Sequence, residues 1–281
     1  MPIRSTGTLW QERICMIVVT GMHRSGTSAV CNLLWGLGMD FGEDSQFLPT
    51  DRWNAKGYFE NRDVFLLNTF LITGARRLPR LWLIPFEERT AFQKLMMMPV
   101  KARYLLMPGI DRLASRMHRS SERVAEVTTK LGSRAVKDPR FCLMIEPWCR
   151  YAPIEKVLFS HRHPSEVARS LHRREHLPLS LGYKFWSYHV ESFLRQIDRL
   201  EIGVTIVNYN NLFDPEKREE EAKRLFRFAG KEFNEAEWTR IASTSFDSQL
   251  RHHRSGGSRL PPRVSRLLVE LEEKYQQCDG S

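Results

Sequence analysis

Apolar residues along this chain fall into two alternating patterns, short continuous blocks and longer stretches at helical spacing. Four blocks rich in β-branched residues predict buried strands at 15–20, 134–137, 156–160 and 203–207. Thr27 and Ser28 open a helix that runs through Val30, Leu33, Leu34 and Leu37, with Gly38 placed to cap it. Further helices are expected from Asp63 to Thr73, after Pro164 with Val167, Ala168 and Leu171, and over 260–277 with Val264, Leu267, Leu268 and Leu271 on one face. Residues 75–130 also read as helical, with Pro99 and Pro108 breaking the run. Fully apolar strands alternating with helices predict an α/β class: a central parallel sheet flanked by helices, with a helical insertion at 75–130. The chain, 1–281, is expected to form a single domain.

Composition narrows the class. At 42% hydrophobic and 27% charged residues, the chain predicts a packed core rather than disorder. No apolar run reaches the roughly 20 residues that cross a bilayer, and Met1–Thr8 does not read as a signal peptide. Cys15, Cys31, Cys142, Cys149 and Cys278 lack metal-ligand spacing, which predicts a reducing, cytoplasmic setting.

The net charge of +10 is unevenly spread. Between Arg76 and Arg140, 15 Lys/Arg stand against 6 Asp/Glu, and five arginines without a carboxylate occupy 251–266. Solvated helix faces account for most such residues individually; collectively they fit a funnel for anionic ligands. The aromatic residues are not interleaved with the basic ones as stacking platforms, so no nucleic-acid partner is expected.

Between the first strand and its helix lie Gly21 and Gly26. A strand, a glycine loop and a helix aim backbone N–H groups and the positive helix end at one point, which suits a phosphate. An ordinary strand-to-helix turn with two glycines is the alternative. The spacing approaches a Walker A loop, but Thr27 stands where its Lys belongs and the cation lies upstream at Arg24. That weakens an ATP-cleaving reading.

Arg24-Ser25-Gly26-Thr27-Ser28 resembles the 5′-phosphosulfate loop of the sulfotransferases that use 3′-phosphoadenosine 5′-phosphosulfate. Residues 155–174 (EKVLFSHRHPSEVARSLHRR) are similar to that family's 3′-phosphate element, an Arg at a strand end followed eight residues later by a Ser; here these are Arg162 and Ser170. Ser170 lies about two turns along the helix, so both can face one phosphate. Residues 204–212 resemble the family's late strand and turn, with Asn210 and Asn211 replacing an acidic pair whose roles therefore do not carry over. The likeness covers roughly 14–70 and 134–254.

The resemblance implies in-line transfer of a sulfuryl group from that donor to a hydroxyl or amine of a glycan, glycolipid or small molecule, with a general base and no metal. It assigns Arg24, Ser25, Gly26, Thr27 and Ser28 to the donor's 5′ side and Arg162 and Ser170 to its 3′-phosphate. Arg251 and Arg254, in FDSQLRHHRSGG (246–257), match the segment that closes over that phosphate. NAKGYFENRD (54–63) resembles a bacterial sulfotransferase segment and makes Glu60 the candidate base, with Glu43 and His23 as alternatives. Glu60 could equally be a carboxylate at a helix N-terminus. VKDPRF (136–141) resembles a Lys-Asp-Pro-Arg turn of the same chains. Lys137 is the candidate second catalytic cation there, against a purely structural Asp138–Arg140 pairing. The methionines at 96–98 and 107 fit either irregular core or an adaptable acceptor lid. An ATP-dependent kinase and a non-catalytic basic module remain the competing functions.

Overall fold

A computed structural model describes residues 15–50, 57–132, 134–245 and 259–278. Within them, β1 (Met16–Thr20), β2 (Ala135–Lys137), β3 (Ile154–His161) and β4 (Gly203–Asn208) pair in parallel, in the order β2-β1-β3-β4. The helices are α1 (Thr27–Gly36), α2 (Arg62–Thr73), α3 (Ala91–Met96), α4 (Met98–Leu105), α5 (Ile110–His118) and α6 (Ser121–Leu131) before β2. After it come α7 (Ile145–Cys149), α8 (Pro164–Glu175), α9 (Leu179–Ile197), α10 (Arg218–Phe228), α11 (Glu235–Ser245) and α12 (Pro262–Gln277). The α/β class and the parallel sheet predicted from the apolar blocks are both present.

The strands are apolar on both faces because both faces are covered. Met16, Val18, Val157, Phe159 and Ile206 belong to a core shared with α2, α5, α6, α8, α9 and α12. Val19, Leu158 and Val207 turn the other way, toward Val30, Leu33 and Leu34 of α1 and toward α10 and α11. Successive residues of one strand thus feed opposite cores, as the two-residue period of a strand requires. Phe159 stacks on Phe193 of α9 with ring centroids 4.0 Å apart.

Residues 75–130 form 3-10 turns and the helices α3–α6. α3 ends at Met96 and α4 starts at Met98, so the run is broken beside Pro99 as expected. Pro99 sits in the first turn of α4, where its missing N–H has no intrahelical partner to lose. Pro108 lies in the turn before α5. The methionine cluster splits: Met97 is buried, while Met96 and Met98 are exposed with Phe92, Leu95 and Leu106. No helix among the described residues is long and apolar enough to cross a membrane.

The connection after β1 leads to β2 on one side, and the chain then crosses to β3 on the other. The C-terminal ends of β1 and β3 therefore flank the point where connections diverge, which is where open parallel sheets bind ligands.

Candidate active site

The loop from β1 to α1 is built around two close approaches. A side chain at Gly21 would place its Cβ 2.2 Å from the Ser160 carbonyl oxygen of β3. At Gly26 a Cβ would sit 2.0 Å from the Tyr209 ring, and the backbone is left-handed with φ 83°. Gly26 is also the N-cap of α1 and brings no side chain to its first-turn amides. Ser25 and Thr27 are buried, and Ser160 Oγ donates to the Ser25 carbonyl, tying the loop to β3.

Arg24 has a left-handed backbone too, with φ 72°, a conformation non-glycine residues hold only when their surroundings fix it. Its Nε donates to Ser170 Oγ on α8 at 2.9 Å, and its carbonyl accepts from Arg162 Nη1 at 3.4 Å. The two predicted phosphate elements thus meet through their own side chains. Arg162 is oriented by a buried carboxylate, its Nε donating to Glu166 Oε2 at 2.8 Å. Asn210 donates to the other Glu166 oxygen at 3.0 Å and accepts from the His163 amide. The Arg162 guanidinium lies over the Tyr209 ring, 5.0 Å from its centroid, so one tyrosine backs both Gly26 and Arg162.

At the end of β2, Lys137 Nζ lies 2.7 Å from Glu60 Oε1, both side chains nearly inaccessible. Nζ also donates to the Tyr58 carbonyl at 3.0 Å and to Ser28 Oγ at 3.3 Å, which links the pair to α1. Arg140 stands 3.8 Å from the other Glu60 oxygen and pairs with Asp138 at 2.9 Å. Asn68 of α2 donates to Asp138 Oδ2 at 3.1 Å and accepts from the Trp148 indole. The Asp138–Arg140 pairing expected as the structural alternative is present, and the Lys137–Glu60 pair stands beside it. Glu60 does not serve as an N-terminal helix carboxylate: Asn61 caps α2, accepting from the amides of Asp63 and Val64. Phe59, left-handed at φ 55° with its ring 5.5 Å from those of Phe41 and Phe47, turns the chain so that Glu60 faces Lys137.

His23 Nε2 is 2.7 Å from the Tyr104 hydroxyl, joining the loop to α4. Burial, reinforced by the nearby Arg140, His189 and Lys137, holds its pKa well below the usual histidine value, so the ring is neutral at pH 7. His189, edge-on to it at 5.9 Å between ring centroids, is pushed down to about 4, mainly by burial. Arg174 at the end of α8 donates to the Tyr58 hydroxyl at 3.2 Å.

The structure gathers Arg24, Ser25, Gly26, Thr27, Ser28, Arg162 and Ser170 around the ends of β1 and β3, with Glu60, Lys137 and His23 on the β2 side. Glu43 is exposed beside a short 3-10 turn, where Ser45 donates to it. Arg251 and Arg254 lie outside the described residues. Sequence reasoning missed Tyr58, Tyr104, Arg174, Glu166 and Tyr209. Glu166 had a signal, an acid four residues after Arg162 on a predicted helix; Tyr58, Arg174 and Tyr209 lie within the segments 54–63, 155–174 and 204–212 that resemble the family, and Tyr104 had none.

The sequence matches no protein-family model and no curated protein. Among solved structures, the chain is similar to the sulfotransferase domain of the Synechococcus PCC 7002 olefin synthase, at 15% identity over 92% of this chain and 94% of that one, TM-score 0.47. It is similar to the sulfotransferase domain of the curacin biosynthetic pathway, at 14% identity over 92% and 98%, TM-score 0.46. It is also similar to sulfotransferase STF9 from Mycobacterium avium, at 17% identity over 93% and 76%, TM-score 0.44.

Proposed function

We propose that this chain is a sulfotransferase, moving a sulfuryl group from 3′-phosphoadenosine 5′-phosphosulfate to a hydroxyl or amine acceptor. The observation that carries the reading is the junction of Arg24 with Ser170 and Arg162. Two guanidiniums and an uncapped helix N-terminus converge at the sheet edge, a donor set suited to a ligand with two phosphate-type groups.

In this reading Arg24, Ser25 and the amides of Gly26, Thr27 and Ser28 hold the 5′-phosphate. Arg162 and Ser170 hold the 3′-phosphate, with Arg251 and Arg254 closing over it. Glu60 takes the proton from the acceptor as the new S–O bond forms and the bond to the phosphate oxygen breaks. Lys137 orients that carboxylate and, with Arg24, offsets the charge on the departing adenosine 3′,5′-bisphosphate. His23, neutral and hydrogen-bonded to Tyr104, faces the acceptor side and is the second choice of base. The acceptor, a glycan, glycolipid or small metabolite, enters beneath α4, with residues 75–130 as its lid. Side-chain cations supply the charge, so the reading requires no metal. All five cysteines are free, which fits a reducing cytoplasm.

Calorimetric titration with adenosine 3′,5′-bisphosphate in EDTA, with ATP and AMP as controls, tests it. One-to-one binding that needs the 3′-phosphate is expected. Binding of ATP alone, and only with Mg²⁺, overturns the reading in favour of a kinase.

A further inference from the structure

Away from the loop, a cavity of about 380 Å³ opens between the start of α2, the 3-10 turn that follows it and the outer face of α6. Arg76, Arg77 and Arg80 line one wall, and Arg123 and Lys130 of α6 the other. Two carboxylates share the lining, Asp63 and Glu126. Glu126 is taken by Lys130 at 2.7 Å. Among the described residues, none of the four arginines forms an ion pair with a carboxylate. Arg76 and Arg123 both sit over the Phe70 ring, at 5.5 and 5.8 Å from its centroid. Two like charges share one aromatic side chain and leave their forked N–H donors to the cavity.

Five cations against two carboxylates leave an excess of like charge in the lining, and the repulsion among them is relieved when an anion enters. Guanidinium forks match the oxygens of phosphate and sulfate two at a time, and four of them on facing walls match more than one such group. From this we infer a second binding site, for a ligand bearing two or more phosphate or sulfate groups. It lies apart from the donor residues and does not depend on the proposed transfer reaction.

The test titrates the full chain with inositol hexakisphosphate at physiological salt, calorimetrically. A sulfated disaccharide and phosphatidylcholine vesicles with or without phosphatidylinositol 4,5-bisphosphate serve as parallel probes. Saturable binding of at least one multiply charged probe is expected. Arg77→Ala with Arg80→Ala should weaken it by at least about tenfold, as the loss of charge-assisted bonds implies. Arg24→Ala should leave it unchanged. Binding to vesicles alone identifies a headgroup as the source, and binding to the disaccharide alone a sulfated sugar. Either supports the site if the arginine variants lose it. Arg80→Gln, at an exposed position, repeats the test with minimal risk to folding. No binding of any probe overturns the inference. So does binding that survives the cavity variants, or that adenosine 3′,5′-bisphosphate displaces and Arg24→Ala abolishes. The donor reading stands or falls separately, on the nucleotide titration.

Discussion

Arg24 Nε donates to Ser170 Oγ across 2.9 Å, joining the loop after β1 to the helix after β3. Arg24→Ala removes a cation and its charge-assisted bonds, worth about 1.5–3 kcal/mol. Calorimetry should show a loss of roughly 10- to 100-fold in affinity for adenosine 3′,5′-bisphosphate. Ser170→Ala should cost less, and the double variant should be non-additive, since the two residues share one contact. Strict additivity would separate the two elements.

Arg162 answers to the nucleotide's far end. Arg162→Ala should abolish the preference for the 3′-phosphorylated nucleotide over AMP while leaving weak binding of both. A preference that survives assigns the 3′-phosphate to other residues.

Lys137 and Glu60 form a buried pair, so stability and turnover should separate under mutation. Lys137→Met takes the nearest counter-charge from a buried carboxylate, leaving it only Arg140 at 3.8 Å, and should destabilise by about 3 kcal/mol. Adding Glu60→Gln should recover much of that in a urea melt. Glu60→Gln alone should slow transfer by ~10²–10⁴ with donor affinity kept. A mild kinetic effect transfers the base role to His23.

Gly26→Ala should be severe, because its Cβ would fall inside the Tyr209 ring at a backbone angle that alanine resists. Combining it with Tyr209→Ala relieves the clash but not the φ strain, so thermal stability should recover only in part. Full recovery would show the strain to be negligible.

His161 and His189 are buried and both held down to about 4, chiefly by burial. Neither ring nitrogen of His161 has a hydrogen-bond partner among the described residues. An unfolded chain takes up these protons near pH 6.5 and the native one only near 4. Stability is therefore full above about pH 6.5 and falls as pH drops toward 4, by up to about 3 kcal/mol for each ring. Urea melts from pH 7.5 to 4.5 should show this. His189→Gln should flatten the profile by about one proton; an unchanged slope assigns the effect elsewhere.

The strands and the loop were legible because each is a local pattern, a β-branched block or two glycines, while Arg162 and Ser170 were picked out by their resemblance to a family element. Glu60 and Lys137 were each singled out, but not as partners. Their contact exists because β2 is drawn in beside β1 from far along the chain, and no local pattern encodes that choice of neighbour. Tyr209 under Gly26 is hidden for the same reason. The glycine announces a close approach, while its cause sits beyond another strand. Pro99 marked the break between α3 and α4 correctly, but a proline that ends one helix and one that begins the next look alike in sequence.

The place of β1 in the sheet also bears on how the molecule is made. Ile17 pairs with Ala135 on one side and Lys156 on the other, so β1 waits for neighbours that lie more than a hundred residues further along the chain. At ~5–20 residues per second, the ribosome leaves Met16–Thr20 without either neighbour for on the order of ten seconds. That segment has high β-propensity, no charge and no proline, which makes it adhesive toward other nascent chains. Translation speed between residues 20 and 135 then fixes how long β1 stays unpaired, a quantity that synonymous codon changes alter without touching the protein.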